Sequence, residues 1–102
     1  MEDDLLDFDT LDGFDWDKGN KQKNWEKHHV DYTECEQVFF NKPLLLSEDT
    51  KHSGNEKRYY LLGRSDTDRP LFLVFTIRGD KIRVISARDQ SKKEREIYEQ
   101  QQ

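Results

Sequence analysis

The stretch LFLVFTIRGDKIRVISA, residues 71–87, decides the fold. Two runs rich in β-branched and aromatic residues, which are typical of strands, flank the dipeptide Gly79-Asp80. Glycine in the first position of a two-residue loop suits a type II′ turn, because that position needs a positive φ. The stretch therefore predicts a β-hairpin with strands over residues 71–78 and 81–87.

This turn also fixes which residues of the two strands face each other. The expected pairs are Arg78 with Lys81, Ile77 with Ile82, Thr76 with Arg83, Phe75 with Val84, and Val74 with Ile85. Directly opposed residues lie on the same face of a sheet. One face is then apolar, and the other carries three cations at the hairpin end. Those cations either bind an anion or belong to an ordinary solvated face.

The rest of the chain predicts three helices and two further strands. The helices follow N-capping residues: Asp17 before residues 18–28, Thr33 with Glu36 before a helix that runs to about Phe40, and Ser91 with Glu94 before a helix that runs to about Gln100. The strands cover residues 43–47 and 57–64, with one more short strand possible near residues 14–16. We expect an α+β fold, in which an antiparallel four-stranded sheet carries two N-terminal helices and one C-terminal helix.

Charge is distributed unevenly along the chain. The net charge is −5, and residues 1–17 hold eight of the 22 acids and no Lys or Arg, which leaves 14 acids against 17 bases in residues 18–102. We expect an acidic extension over residues 1–13, with the composition of a disordered segment, and a single domain over residues 14–102. The extension either adds solubility or contacts a basic surface.

Composition limits the class of protein. The one cysteine, Cys35, cannot form an internal disulfide or a zinc-binding CxxC pair, and we expect it to be a buried structural thiol. The sequence has no apolar run near 18 residues and no signal-peptide pattern. These features favour a cytoplasmic protein that makes no membrane contact.

Several motifs resemble those of one known family. They are FDWD at residues 14–17, Asn24, KH followed by Val30, VFF at residues 38–40, and the long run LGRSDTDRPLFLVFTIRGDKIRVISARDQSKKEREIYE at residues 62–99. Together they resemble the BrnT toxins of type II toxin–antitoxin systems. The resemblance implies a fold similar to RelE-type ribonucleases, cleavage of RNA and inhibition of translation. It also implies neutralisation by a BrnA-like ribbon-helix-helix antitoxin, through which alone the complex would reach operator DNA.

Metal-independent cleavage of RNA needs a base, cations for the charged phosphorus centre and an acid, and we expect no metal and no cofactor. Arginine suits the second role because its guanidinium binds phosphate bidentately. The expected catalytic residues are Arg64, Arg78, Arg83 and Arg88 as phosphate ligands, Lys27 or His28 for acid/base chemistry, and Tyr98 near the site. Arg64, which ends the neighbouring strand, is expected to join Arg78 and Arg83.

Two positions leave alternatives open. Strict alternation places Arg88 on the core face, so either a bulge near Ala87 turns it outward or it is a structural arginine that ties strand to helix. Lys27 and His28 either act on RNA or stabilise the end of the first helix. The family usually has glycine where His29 stands, so we expect His29 to end that helix in the left-handed conformation.

A second function remains open from the sequence. The change from glycine to His29 and the acidic extension are also compatible with a chain that has lost activity. Such a chain would act as an interaction module, serving as the co-repressor partner of a DNA-binding antitoxin.

Overall fold

The computed structural model describes residues 6–101 and shows an α+β fold. It confirms the four-stranded antiparallel sheet, the two N-terminal helices and the C-terminal helix. The elements are a 3-10 helix Phe8–Thr10, α1 Lys18–His28, α2 Tyr32–Val38, β1 Leu45–Glu48, β2 Arg58–Arg64, β3 Pro70–Arg78, β4 Lys81–Asp89 and α3 Lys92–Glu99. The more specific likeness to RelE-type ribonucleases stays a prediction.

The sheet has the strand order β1-β2-β3-β4, and every neighbouring pair is antiparallel. The predicted hairpin is confirmed, since Gly79 has a φ of 63° and Arg78 pairs with Lys81. The next three predicted pairs, down to Phe75 with Val84, are confirmed as well.

Beyond that point the predicted register is wrong. Val74 pairs with Ser86 rather than with Ile85, so Ile85 is the extra residue of a β-bulge. One extra residue reverses the alternation of all later side chains on β4. Ala87 therefore enters the core opposite Leu73, and Arg88 turns to the other face opposite Phe72.

The core lies between one face of the sheet and α2. Fully buried side chains from the sheet, such as Leu73 and Phe75, pack with Val38 and Cys35 of α2. β2 and α2 approach each other so closely that a Cβ added at Gly63 would lie 2.4 Å from a methyl of Val38. Cys35 is fully buried, as predicted, and this burial raises the pKa of its thiol to about 12.

The capping prediction for α1 is confirmed and the one for α2 is wrong. Asp17 caps α1, and His29 ends it with φ 54° and ψ 38° as predicted. In α2 the capping box uses Asp31 and Glu34 instead of Thr33 and Glu36. The Glu36 carboxylate instead accepts a hydrogen bond from the indole N–H of Trp16 at 2.8 Å.

The outer edge of β4 is covered rather than left open. Near the hairpin, residues 12–15 bond to it, with the Asp15 N–H donating to Ile82 at 2.8 Å. The possible extra strand is present only as a parallel bridge between Phe14 and Ile82. Further along, the side-chain oxygen of buried Asn24 accepts from the Ala87 N–H at 3.0 Å. Covering an edge in this way prevents pairing with other chains.

Part of the predicted acidic extension lies in the described region. Residues 8–10 form the 3-10 helix, and Leu6, Phe8 and Leu11 pack against the core. Residues 1–5 lie outside the described residues, so the division into extension and domain stays a prediction.

Candidate functional site

The sheet face turned away from α2 is called here the open face. Three rows of paired residues cross it from β2 to β4. The rows are Arg58–Thr76–Arg83, Tyr60–Val74–Ser86 and Leu62–Phe72–Arg88. Arginines therefore stand at both ends of a central region that carries aromatic rings.

The aromatic rings at the centre are Tyr60 and Phe72. Their centroids lie 5.8 Å apart at an interplanar angle of 30°, and Tyr60 is 37% exposed. The guanidinium carbon of Arg88 lies 4.1 Å from the centre of the Phe72 ring, a cation–π distance. Proteins bind single-stranded nucleic acids by stacking the bases on aromatic rings and by holding the phosphates with nearby cations. Sequence reasoning missed both rings, although alternation along residues 58–64 would have placed Tyr60 with Arg58.

Arg88 joins the open face to α3. Its two terminal nitrogens donate to the two carboxylate oxygens of Glu94 at 2.8 and 3.0 Å. This bidentate pair raises the pKa of Arg88 and holds the pKa of Glu94 below its usual value. Both alternatives for Arg88 are thus correct in part. A bulge does turn it outward, although at Ile85 rather than near Ala87, and it also ties strand to helix.

Arg83 is held by the segment that precedes α1. It donates to a carboxylate oxygen of Asp17 at 2.8 Å and to the Asp15 carbonyl at 3.4 Å. The pKa of Asp17 lies below its usual value, first because its carboxylate accepts from the Asn20 N–H and then because of Arg83. An anion that binds Arg83 must therefore compete with the N-cap carboxylate of α1.

Arg64 and Arg78 stand at opposite ends of the sheet. Arg64 pairs with Pro70 at the far end, eight residues of β3 away from Arg78, or about 26 Å at the usual rise per residue. The expectation that Arg64 joins Arg78 and Arg83 is therefore wrong, and Arg58 takes that place. Both arginines form exposed ion pairs, Arg64 with Asp68 at 2.8 Å and Arg78 with Glu56 at 2.9 Å.

Lys27 and His28 lie in the last turn of α1, which runs along the outer edge of β4. Lys27 is exposed and His28 is half-buried. The carbonyl of His28 accepts from Arg69, which also donates to Asp89, so the end of α1 lies near the end of β4. Asp89 pairs with buried Leu71 and so lies on the α2 side of the sheet, which means that this corner does not bring the two residues onto the open face. Their role in acid/base chemistry stays a prediction.

Arg69 holds this corner together and was missed by the sequence reasoning. It donates to Asp89 at 2.7 Å, to Glu34 at 3.1 Å, and to the carbonyls of His29 and His28 at 3.0 and 3.3 Å. These partners come from α1, α2 and β4, so no local pattern could have shown the role. Hydrogen bonds from Arg69 are also the main cause of the lowered pKa of Asp89.

Tyr98 is buried between α3 and the sheet. Its hydroxyl donates to the Pro43 carbonyl at 2.7 Å, and burial raises its pKa. The hydroxyl is therefore already engaged in tying α3 to the segment before β1. Its place in the catalytic set stays a prediction.

One cavity lies between the segment that follows α2, strand β1 and the 3-10 helix. It has a volume of about 550 Å³ and is lined mainly by apolar side chains, among them Phe8, Phe39 and Leu46. Phe40, 79% exposed, stands at its rim. The apolar lining of this cavity suits a protein side chain better than RNA.

Within residues 6–101, no three His, Cys, Asp or Glu side chains are grouped so that they could hold a metal ion. None of the helices in that range is both long enough and apolar enough to cross a membrane.

Neighbouring aromatic rings between arginines, on one face of a small sheet, are typical of domains that bind single-stranded RNA. The comparison with protein families points the same way. Residues 16–94 match the family described as the ribonuclease toxin BrnT of type II toxin–antitoxin systems. The chain belongs to this family. Its membership implies an RNA substrate and an antitoxin partner. No curated protein matches the chain.

Proposed function

We propose that this chain is a metal-independent endoribonuclease that inhibits translation, with its RNA lying across the open face. The observation that carries the proposal is the Tyr60–Phe72 ring pair with Arg83 on one side and Arg88 on the other. Family membership supports the ribonuclease class. The open face supplies the place where RNA would bind.

The spacing of the two arginines suits successive contacts along one strand of RNA. Arg83 lies opposite Thr76 and Arg88 opposite Phe72, four residues apart on β3, or about 13 Å. They would therefore hold different phosphates, while bases stack on the rings between them. Arg58, in the row of Arg83, would add to the same track.

In the proposed reaction, the 2′-hydroxyl of the RNA attacks the adjacent phosphorus. A base takes the proton of that hydroxyl, an arginine stabilises the charge that develops on the phosphate oxygens, and an acid protonates the departing 5′-oxygen. The products are a 2′,3′-cyclic phosphate and a 5′-hydroxyl. Lys27 and His28 are the proposed acid/base residues, and Tyr98 is a further candidate.

The partner in this proposal is a BrnA-like antitoxin with a ribbon-helix-helix domain, in the cytoplasm. Contact with operator DNA is therefore proposed to occur only through the antitoxin.

Cleavage of RNA by the purified chain tests the enzymatic proposal. We expect cleavage to continue in excess EDTA and to leave 2′,3′-cyclic phosphate ends, which phosphatase removes only after the ring is opened. Loss of cleavage in EDTA with full recovery on adding a divalent cation would contradict metal independence. If translation of a reporter stopped before its RNA was cleaved, cleavage would not be the cause of the inhibition of translation.

One observation favours a second function. Arg64, Arg78, Arg83 and Arg88 each already bond to a carboxylate of the same chain. A chain whose phosphate ligands are satisfied internally could instead act as an inactive co-repressor that binds the antitoxin. Normal growth on induction without the antitoxin would favour this reading, whereas growth arrest would favour the ribonuclease.

A further inference from the structure

A histidine and an aspartate face each other in the loop that joins β1 to β2. Nδ1 of His52 lies 3.1 Å from Oδ1 and 3.0 Å from Oδ2 of Asp49. A carboxylate only accepts hydrogen bonds, so Nδ1 carries a proton, and in the neutral imidazole Nε2 is then able to accept one. The side chain of His52 is 62% exposed, whereas that of Asp49 is only 17% exposed. The pair therefore holds the imidazole by one nitrogen and presents the ring to the solvent.

The loop that carries this pair is fixed to the first residue of β2. The Asp49 N–H donates to the Arg58 carbonyl at 2.8 Å, and the Arg58 N–H donates to the Ser53 hydroxyl at 2.9 Å. The Ser53 hydroxyl in turn donates to the Asp49 carbonyl at 2.7 Å. These three hydrogen bonds hold the backbone on both sides of His52 beside Arg58.

The same contacts place the pair at the edge of the open face. The last pair of β1 and β2 is Glu48 with Tyr59. The next residues continue this register, so Asp49 lies opposite Arg58, to which its N–H donates. Directly opposed residues share a face, and Arg58 stands in the row of the open face that ends at Arg83. Asp49 extends this row by one strand, about 5 Å beyond Arg58.

The other two histidines of the chain lie elsewhere. His28 stands at the end of α1, at the corner on the α2 side of the sheet. His29 ends α1, and its ring lies 5.2 Å from the ring of Trp25. Of the three histidines, all of which lie within residues 6–101, His52 is therefore the one that stands beside a row of arginines on the open face.

We propose that His52 is the general base of the ribonuclease and that Asp49 is a positioning residue, which holds the imidazole in the required tautomer. The proposal rests on the proposed function, because it needs RNA on the open face with a phosphate at Arg58. Nε2 takes the proton of the 2′-hydroxyl while the 2′-oxygen bonds to phosphorus and the bond from phosphorus to the 5′-oxygen breaks. The departing 5′-oxygen takes its proton from water or from the acid of the proposed reaction. The Asp49 carboxylate stabilises the imidazolium, which then returns its proton to the solvent.

Single-turnover cleavage of RNA by the full chain tests the role of His52. With the protein in saturating excess, the rate constant reports the reaction after binding. We expect His52→Gln to lower this rate constant roughly 100-fold to 10,000-fold, the range that acid–base catalysis supplies, and to leave the affinity for RNA nearly unchanged. The control is Asn55→Ala, an exposed position in the same loop, which should cleave like wild type. Loss of affinity alone in His52→Gln would overturn the proposal.

Nitrogen NMR of the imidazole tests positioning by Asp49. In the wild type, neutral His52 should carry its proton on Nδ1. Asp49→Asn keeps the shape of the side chain, but its amide can donate to Nδ1, which leaves the proton on Nε2. We expect this variant to show the changed tautomer and to cleave more slowly. Neutral His52 with its proton on Nε2 in the wild type, or a changed tautomer with wild-type cleavage, would overturn the role of Asp49.

The wild-type chain separates the role of His52 from the proposed function. If the wild type cleaves RNA and His52→Gln cleaves it equally fast, His52 is not the base, while the ribonuclease remains in place. If the wild type binds RNA but never cleaves it, both the ribonuclease and its base are contradicted.

Discussion

Arg88 and Glu94 form a bidentate ion pair between β4 and α3, with N–O distances of 2.8 and 3.0 Å. The same guanidinium lies 4.1 Å from the centre of the Phe72 ring on the open face. A carboxylate thus occupies the position at which an RNA phosphate would meet Arg88. In the proposed complex, a phosphate of the RNA would replace Glu94 or share Arg88 with it.

Glu94→Gln is therefore expected to tighten RNA binding. The glutamine amide removes a negative charge that competes for Arg88. In the wild type the Ser91 N–H donates to Glu94 at 2.8 Å, and the amide oxygen of the variant can still accept this hydrogen bond. We expect tighter binding of single-stranded RNA at low salt and a steeper loss of affinity with salt, measured by fluorescence anisotropy. The matched control is Glu96→Gln, which changes the same charge on the same helix. Equal affinities for the two variants would argue that Arg88 does not contact RNA.

Phe72→Leu is expected to weaken RNA binding without unfolding the chain. Loss of one stacking ring costs about 1–3 kcal/mol per base, or roughly fivefold to 150-fold in affinity. The control is Phe40→Leu, because Phe40 is 79% exposed at the rim of the apolar cavity and lies away from the open face. The same anisotropy titration measures the RNA affinity of both variants. An affinity of Phe72→Leu equal to that of wild type would show that no base stacks on Phe72.

Gly63→Ala is expected to destabilise the fold. The added Cβ would lie 2.4 Å from a methyl of Val38, and overpacking of this kind costs about 1–3 kcal/mol. Gly54→Ala is the control, since no atom lies within 4 Å of a Cβ added there. Urea unfolding measures both changes. A Gly63→Ala midpoint equal to that of wild type would show that β2 and α2 are not packed so closely.

Stability should fall in acid. The pKa of Glu94 lies below 4.5 because Arg88 donates to it, and the pKa of Asp89 lies below 3.8 because Arg69 does. A depressed pKa contributes stability above the unfolded value, and that stability is lost as the pH falls through the folded value. The urea midpoint should therefore be steady between pH 7 and 5 and should decrease below about pH 4.5. Glu94→Gln should remove the part of this decrease that comes from protonation of Glu94. A urea midpoint that rises in acid would contradict the lowered pKa values of Glu94 and Asp89.

Local patterns predicted most of the fold. The turn Gly79-Asp80 and the cap Asp17 depend on their own neighbours in sequence, and both were predicted correctly. The bulge was predicted only as one of two alternatives, near Ala87, because its place at Ile85 depends on how β4 meets Asn24 and the end of α1. That one residue changed the face on which Arg88 lies.

The candidate site was less predictable for the same reason. Arg83 and Arg78 were placed on one face by the hairpin register, which is local. The distance of Arg64 from them depends on the pairing of β2 with β3, which no turn in the sequence determines. Arg69 acts through partners on three separate elements.

The most direct test of the account is the toxicity of Arg83→Ala combined with Arg88→Ala. Expression without the antitoxin should arrest growth for wild type and for the control Lys23→Ala with Lys93→Ala, which removes the same charge from exposed positions. The double arginine variant should remain folded by thermal melting, because partly exposed ion pairs contribute only about 0–1 kcal/mol each. The account predicts that this variant permits growth and cleaves RNA far more slowly. Full growth arrest and unchanged cleavage by the folded variant would contradict the placement of RNA on the open face.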